Sequence, residues 1–267
     1  PLINEEAYLM LAKYEAHIMD NKCEIKCFPW MKQEVDISVC AHVAAWTILR
    51  YYGNKYHNYA DTTMGAIAQK IKGDMGRKTP SNGLTPVQIA DLFQEYGFSP
   101  IIRGGIKEEN SKFLDEIMAY IESGIPIVGF ISPKQHAVSI VGHGRINYDL
   151  LDNPVSVDKL KDEQTGIILH SKLIPSLYVM EDNYFGYRKV SKELPTSTSD
   201  VDYNLFEIKF AVVPLYEKMQ LVYNEVYERY VSLVESGTMN WEDVKISRIY
   251  MTSTNSLKRE AGSNKEM

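Results

Sequence analysis

Apolar and polar positions follow two periods along this chain, and the place where one gives way to the other organises it. Glu5 to Met19 mixes charged and apolar residues at helical spacing, Asp20-Asn21-Lys22 breaks the pattern, and Cys23 to Phe28 alternates with period two until Pro29, as a short strand does. After a polar loop, Cys40 to Tyr52 carries small and apolar residues at helical spacing until Gly53-Asn54, which predicts a helix whose first turn holds Cys40. Further helices are predicted over Met64 to Ile71, over Val87 to Tyr96 with Thr85 as N-cap and Pro86 as first residue, and over Lys112 to Glu122. Pro80 to Gly83 reads as a loop, and Gly97 and Ser123-Gly124 close the last two helices.

Strand patterns then dominate. Pro100 to Arg103 opens a strand region, and Ile125 to Ile131 and His136 to Val141, separated by Ser132 to Gln135, read as two adjacent antiparallel strands. More strands are predicted at Ser176 to Glu181, Tyr187 to Val190 and Leu205 to Val213, with the polar stretch Pro195 to Asp200 as a loop. From Pro214 the period returns to that of a helix over Leu215 to Val234, with one apolar stripe, followed by a polar tail with one strand in Val244 to Met251. Helices first and a mostly antiparallel sheet after them make an α+β fold. The expected organisation is a main domain over residues 1–213 and a helical extension over 214–267 packed on or beside it.

Composition adds exclusions. Apolar residues are 45% and charged residues 24%, the balance of an ordinary packed globular protein. The net charge of −6, with Lys and Arg scattered among the acids, builds no electrostatic footprint for nucleic acid. No apolar run approaches the roughly 20 residues that span a bilayer. Three cysteines, Cys23, Cys27 and Cys40, are too few and odd in number for a disulfide framework, so a cytoplasmic setting is expected. Cys23 and Cys27 are four apart on one strand, about 13 Å, too far to share a metal ion. No cofactor or metal is called for.

The candidate chemistry centres on Cys40. A thiol near the start of a helix, behind Asp36 and Ser38 as possible caps, sits where the helix N-terminus favours a thiolate. Thiol catalysis also needs an imidazole from elsewhere in the fold. His136 and His143 lie in the strand region seven residues apart, so without a bulge only one can face the Cys40 helix. His136, on the face of Val138 and Ile140, is the expected base. His42 is two residues from Cys40 on the same helix and does not face it. Asp182, followed by Asn183 at the end of the next predicted strand, is the expected group to orient the imidazole. The backbone N–H of Cys40 and the side chain of Gln33 are the expected oxyanion donors. Tyr51, Tyr52, Tyr56 and Tyr59, with Trp46, are expected to be core residues rather than a substrate groove.

The run Pro29-Trp-Met-Lys-Gln33, the stretch Ser38-Val-Cys40-Ala-His-Val-Ala-Ala-Trp through Gly53, then Gly124-Ile-Pro-Ile-Val and His136-Ala-Val-Ser-Ile-Val-Gly142 resemble C39-like, papain-fold cysteine peptidases over roughly residues 25–190. The resemblance implies a papain-like fold, with the site between a helical half carrying Cys40 and a sheet half carrying His136 and Asp182. It implies hydrolysis of a peptide or related amide bond through a thioester. Partners would then be a peptide or protein substrate, and a partner protein or further domains outside this chain are compatible with the reading. Two alternatives use the same groove: an acyl or isopeptide transferase with the same residues, and an inactive binding module.

Overall fold

The computed structural model describes residues 7–32, 40–71, 83–104, 111–132, 134–192, 201–219, 221–238, 241 and 243–251. In chain order the elements begin with strands β1 (Tyr8–Leu9), β2 (Ala12–Ile18) and β3 (Asn21–Cys27), and helices α1 (Cys40–Lys55), α2 (Met64–Lys70) and α3 (Pro86–Glu95). Then come β4 (Phe98–Gly104), α4 (Ser111–Glu122), β5 (Ile127–Ile131), β6 (His136–His143), α5 (Pro154–Leu160), β7 (Ile168–Leu169), β8 (Ser176–Met180) and β9 (Arg188–Ser191). The last are β10 (Ile208–Tyr216), α6 (Tyr223–Glu235) and β11 (Ile246–Ser247). Helices and a mostly antiparallel sheet make this the α+β fold that the periodicity implies.

The central sheet has the order β4-β10-β5-β6-β8-β9, every neighbouring pair antiparallel, and β1 lies beside the far end of β6. Helix α1 packs across β6, and the reason is in its composition. Ala41, Ala44 and Ala45 keep the side chains short where the helix approaches the strand, while Ile48, Leu49, Tyr51 and Tyr52 fill the space beyond. Each large side chain so buried contributes about 1.5–3 kcal/mol. Polar bonds lock the same contact. The hydroxyls of Thr47 on α1 and Ser139 on β6 both donate to the Ala44 carbonyl, at 2.8 and 2.9 Å, and lie 2.8 Å from each other. Tyr51 and Tyr52 are core, with Tyr56 and Tyr59 packed against it: Tyr52 meets Phe98 with ring centroids 4.8 Å apart, and Tyr59 stacks on Phe98 at 4.3 Å.

Two segments differ from the sequence pattern. The opening segment is extended, because β2 folds back on β3 as a hairpin through Met19 and Asp20, both at positive φ. Its mixed spacing reflects a ribbon exposed on most of its length, where no core selects a period. The helix read from Leu215 starts at Tyr223 instead; residues 208–216 continue the sheet as β10, paired on both sides with β4 and β5. Cross-strand pairing outweighs the helical spacing there. Helix α6 is tied back by the Tyr223 N–H to the Tyr120 hydroxyl at 3.0 Å and by the Tyr227 hydroxyl to Asp162 at 2.7 Å. Buried Glu122 of α4 holds Arg248 at 2.8 Å and His170 at 2.8 Å, so the segment around β11 lies against the body. No described helix is long and apolar enough to cross a membrane.

Candidate active site

Cys40 is the first residue of α1, buried, and close enough to the His136 imidazole for its thiol to favour the charged ring. Asp36, Ser38 and Gln33 lie outside the described residues, so the expected capping and oxyanion roles of those side chains rest on sequence. His136 begins β6 directly after Gln135, whose φ of 50° puts a non-glycine residue in the left-handed region where the chain turns out of β5. His143 is the last residue of the same eight-residue strand. A register shift between Ile140 and Gly142 interrupts the alternation of faces, and it is the length of the strand that separates the two histidines. His143 stacks on Tyr8 at 5.3 Å, donates from Nδ1 to the Gly144 carbonyl at 2.8 Å, and burial holds its pKa below the usual value.

The acids reach His136 through sheet register. Met180 at the end of β8 pairs with Ser139, so the antiparallel path beyond it carries Glu181 and Asp182 back toward the start of β6. Two carboxylates arrive there, where the sequence reading names one. Glu181 Oε1 bonds His136 Nε2 directly, and Asp182 Oδ1 lies 3.6 Å from the same nitrogen. Glu181 is fixed from several sides: the Tyr203 hydroxyl donates to Oε2 at 2.8 Å, the Asn183 amide to Oε1 at 3.3 Å, and the Trp30 indole N–H to its backbone carbonyl at 2.8 Å. Asp182 is buried, and neither of its carboxylate oxygens has a hydrogen-bond partner among the described residues.

The electrostatics follow from these contacts. Burial by itself disfavours a charged imidazole, but hydrogen bonds and charge from Cys40 and Glu181 outweigh it and push the His136 pKa up to about 10. The ring is therefore an imidazolium at neutral pH, with donors for the thiol on one hand and the carboxylate on the other. Burial, reinforced by the adjacent Glu181 charge and only partly offset by His136, raises the Asp182 carboxyl to about 6. Burial also keeps the Tyr203 phenol protonated, which preserves it as a donor to Glu181.

His136, Glu181 and Asp182 each bring a ligand-type atom within 4.8 Å of the others, and this is the set among the described residues that could hold a metal ion. Among these atoms His136 Nε2 is bonded to Glu181 Oε1. Chemically the site offers a nucleophile at a helix start, a charged imidazole and a buried acid. Sequence reasoning missed Glu181, Tyr203 and Trp30. Glu181 was adjacent to the residue chosen and differed from it only in which side of the strand end it faces, while Tyr203 and Trp30 carry no local signal, because they come from separate parts of the chain.

No curated protein matches the chain. The model of the Peptidase_C39 like family matches residues 24–164, which include Cys40 and His136 and stop short of the two acids, and with more than half of its 267 residues matched the chain belongs to that family.

Proposed function

We propose that this protein is a cysteine hydrolase that cleaves a peptide or related amide bond, with Cys40 as nucleophile, His136 as acid and base, and the Glu181–Asp182 pair orienting the imidazole. The observation that carries the reading is the buried thiol at the first residue of α1 beside an imidazole that a buried carboxylate holds charged. A thiolate–imidazolium pair is the reactive form of a cysteine nucleophile. The Cys40 sulfur attacks the acyl carbon, and the developing oxyanion lies near the backbone N–H at the helix start. His136 passes its proton to the leaving amine and a thioester remains. Water then attacks the thioester, His136 takes a proton from it, and the acid product and free thiol are released. Glu181 keeps the ring in place through both steps and favours its charged form, in the way an orienting acid serves a triad. Gln33, by resemblance to the family, completes the oxyanion site. A transferase would follow the same first half, and added primary amines would then appear in the product.

The test is brief alkylation with iodoacetamide between pH 5 and 9, read by intact mass and peptide mapping, on the wild type and on His136→Ala. Rapid modification of Cys40 at acidic pH that is lost without His136 is expected. A Cys40 that reacts no faster than exposed Cys23 removes the hydrolase reading and leaves a binding module.

A further inference from the structure

Three large aromatic side chains stand in solvent next to the candidate site: Trp30 is 36% exposed, Tyr184 45% and Phe185 71%. They come from two separate stretches of chain, and each is tied to the site or its surroundings. Trp30 donates its indole N–H to the carbonyl of Glu181, the residue that bonds His136. Phe185 lies against Trp30, with ring centroids 6.1 Å apart. Tyr184 lies under the Arg188 guanidinium, 4.9 Å from its ring centroid. The backbone supports this placement. At Gly186 an added side chain would displace the Met180 methyl and touch the Trp30 indole, so the 182–187 loop lies against the indole, and Tyr187 at φ 60° accepts the Phe28 N–H on its hydroxyl at 2.5 Å.

Single exposed apolar side chains are ordinary, but exposed aromatic rings gathered beside a site mark a binding surface. Trp30 is bonded to the backbone carbonyl of Glu181, whose side chain bonds His136, and this closeness names the occupant: whatever is bound for cleavage at Cys40 extends across the rings. We infer that Trp30, Tyr184 and Phe185 form a substrate subsite that accepts a large apolar or aromatic side chain close to the scissile bond. The inference rests on the hydrolase reading and gives it a substrate class, peptides with such a residue near the bond cut. Arg188 over Tyr184 keeps that ring in place.

The experiment uses peptide epoxides that carry residues on both sides of the electrophile, with Gly, Leu, Phe, Asp or Lys placed in turn at each of the two nearest positions on either side. The rate of Cys40 modification is read by intact mass. One position is expected at which Phe and Leu react about tenfold faster than Gly, the scale of discrimination an apolar contact provides. In Phe185→Ala the ratio of the Phe probe to the Gly probe at that position falls about fivefold, and Phe185→Leu restores part of it. Phe185 is exposed, so its truncation leaves the fold intact, and an unchanged melting temperature verifies this. Rates that ignore the side chain at every position, or a preference that survives Phe185→Ala, overturn the subsite. If iodoacetamide modifies Cys40 rapidly while the epoxides are indifferent to side chain, the subsite alone is lost. If iodoacetamide also finds Cys40 unreactive, the hydrolase reading falls and the subsite with it.

Discussion

Glu181→Gln separates the two acids at the imidazole. The change keeps the length of the side chain and an oxygen for Tyr203, and removes the charge that bonds His136. The rise of the His136 pKa from 6.5 to about 10 amounts to about 5 kcal/mol in favour of the imidazolium, net of the burial that opposes it. Cys40 and Glu181 share that support, so loss of the Glu181 charge removes about 2 kcal/mol and brings the ring's titration down to about 8.5. Asp182, at 3.6 Å and not the direct partner, contributes less. The assay follows the His136 ring by NMR through its titration in the wild type, Glu181→Gln and Asp182→Asn, with the pH profile of Cys40 alkylation measured in parallel. Alkylation of Cys40 in Glu181→Gln is expected to be slower than in the wild type at acidic pH, where the rate depends on the charged ring beside the thiol. An unchanged midpoint in Glu181→Gln, or a larger fall in Asp182→Asn than in Glu181→Gln, would refute the assignment of Glu181 as the residue that holds the ring.

Asp182→Asn is expected to stabilise the protein at pH 8 by about 3 kcal/mol, measured by urea unfolding. The sign follows from the raised carboxyl: what protonated Asp182 contributes is present below its ordinary value of 3.8 and is lost as the pH rises through about 6, so at pH 8 the wild type holds a buried charge that the amide lacks. The gain should vanish at pH 4, and a loss of stability at pH 8 would contradict it. Ser139→Ala removes a buried hydroxyl that ties β6 to α1, with Thr47 keeping one bond to the Ala44 carbonyl; a loss of about 1–2 kcal/mol is expected, and a slower Cys40 alkylation would show that the lost contact positions the dyad. Gly142→Ala drives a methyl into the Tyr8 carbonyl and the Leu9 side chain, so β1 must leave β6; a loss of about 1–3 kcal/mol is expected, with rapid proteolysis at the N-terminal segment as the local sign.

Much of the chemistry is local and therefore visible in the order of residues. A helix that starts at Cys40 follows from small and apolar residues at helical spacing, and the start of α3 follows from two adjacent positions, Thr85 as N-cap and Pro86 as first residue. The β5–β6 pair follows from two apolar runs around a short polar turn, with Ile131 opposite His136 in the structure. Membership of the Peptidase_C39 like family, and with it a papain-like α+β fold, rests on the same ordered segments. What local pattern could not supply were positions whose neighbours are distant in sequence. The β2–β3 hairpin has almost no buried face to impose a period, and β10 takes its conformation from partners over 70 residues away in β5 and over 100 in β4.

The same division runs through the site. The sequence alone determined a thiol at a helix start, a histidine at a strand start and an acidic pair after a later strand, because each depends on the residue types and spacing of one segment. Only the tertiary structure decided which acid touches the ring. That choice depends on the register between β6 and β8, on a hydroxyl from Tyr203 and on an indole from Trp30, and these act across 22 and 151 residues of chain through space rather than along it. Hydrogen bonds and Coulomb interactions act over a few ångströms and take no account of separation in sequence, so the charge state of His136 is a property of the folded assembly and of no segment within it.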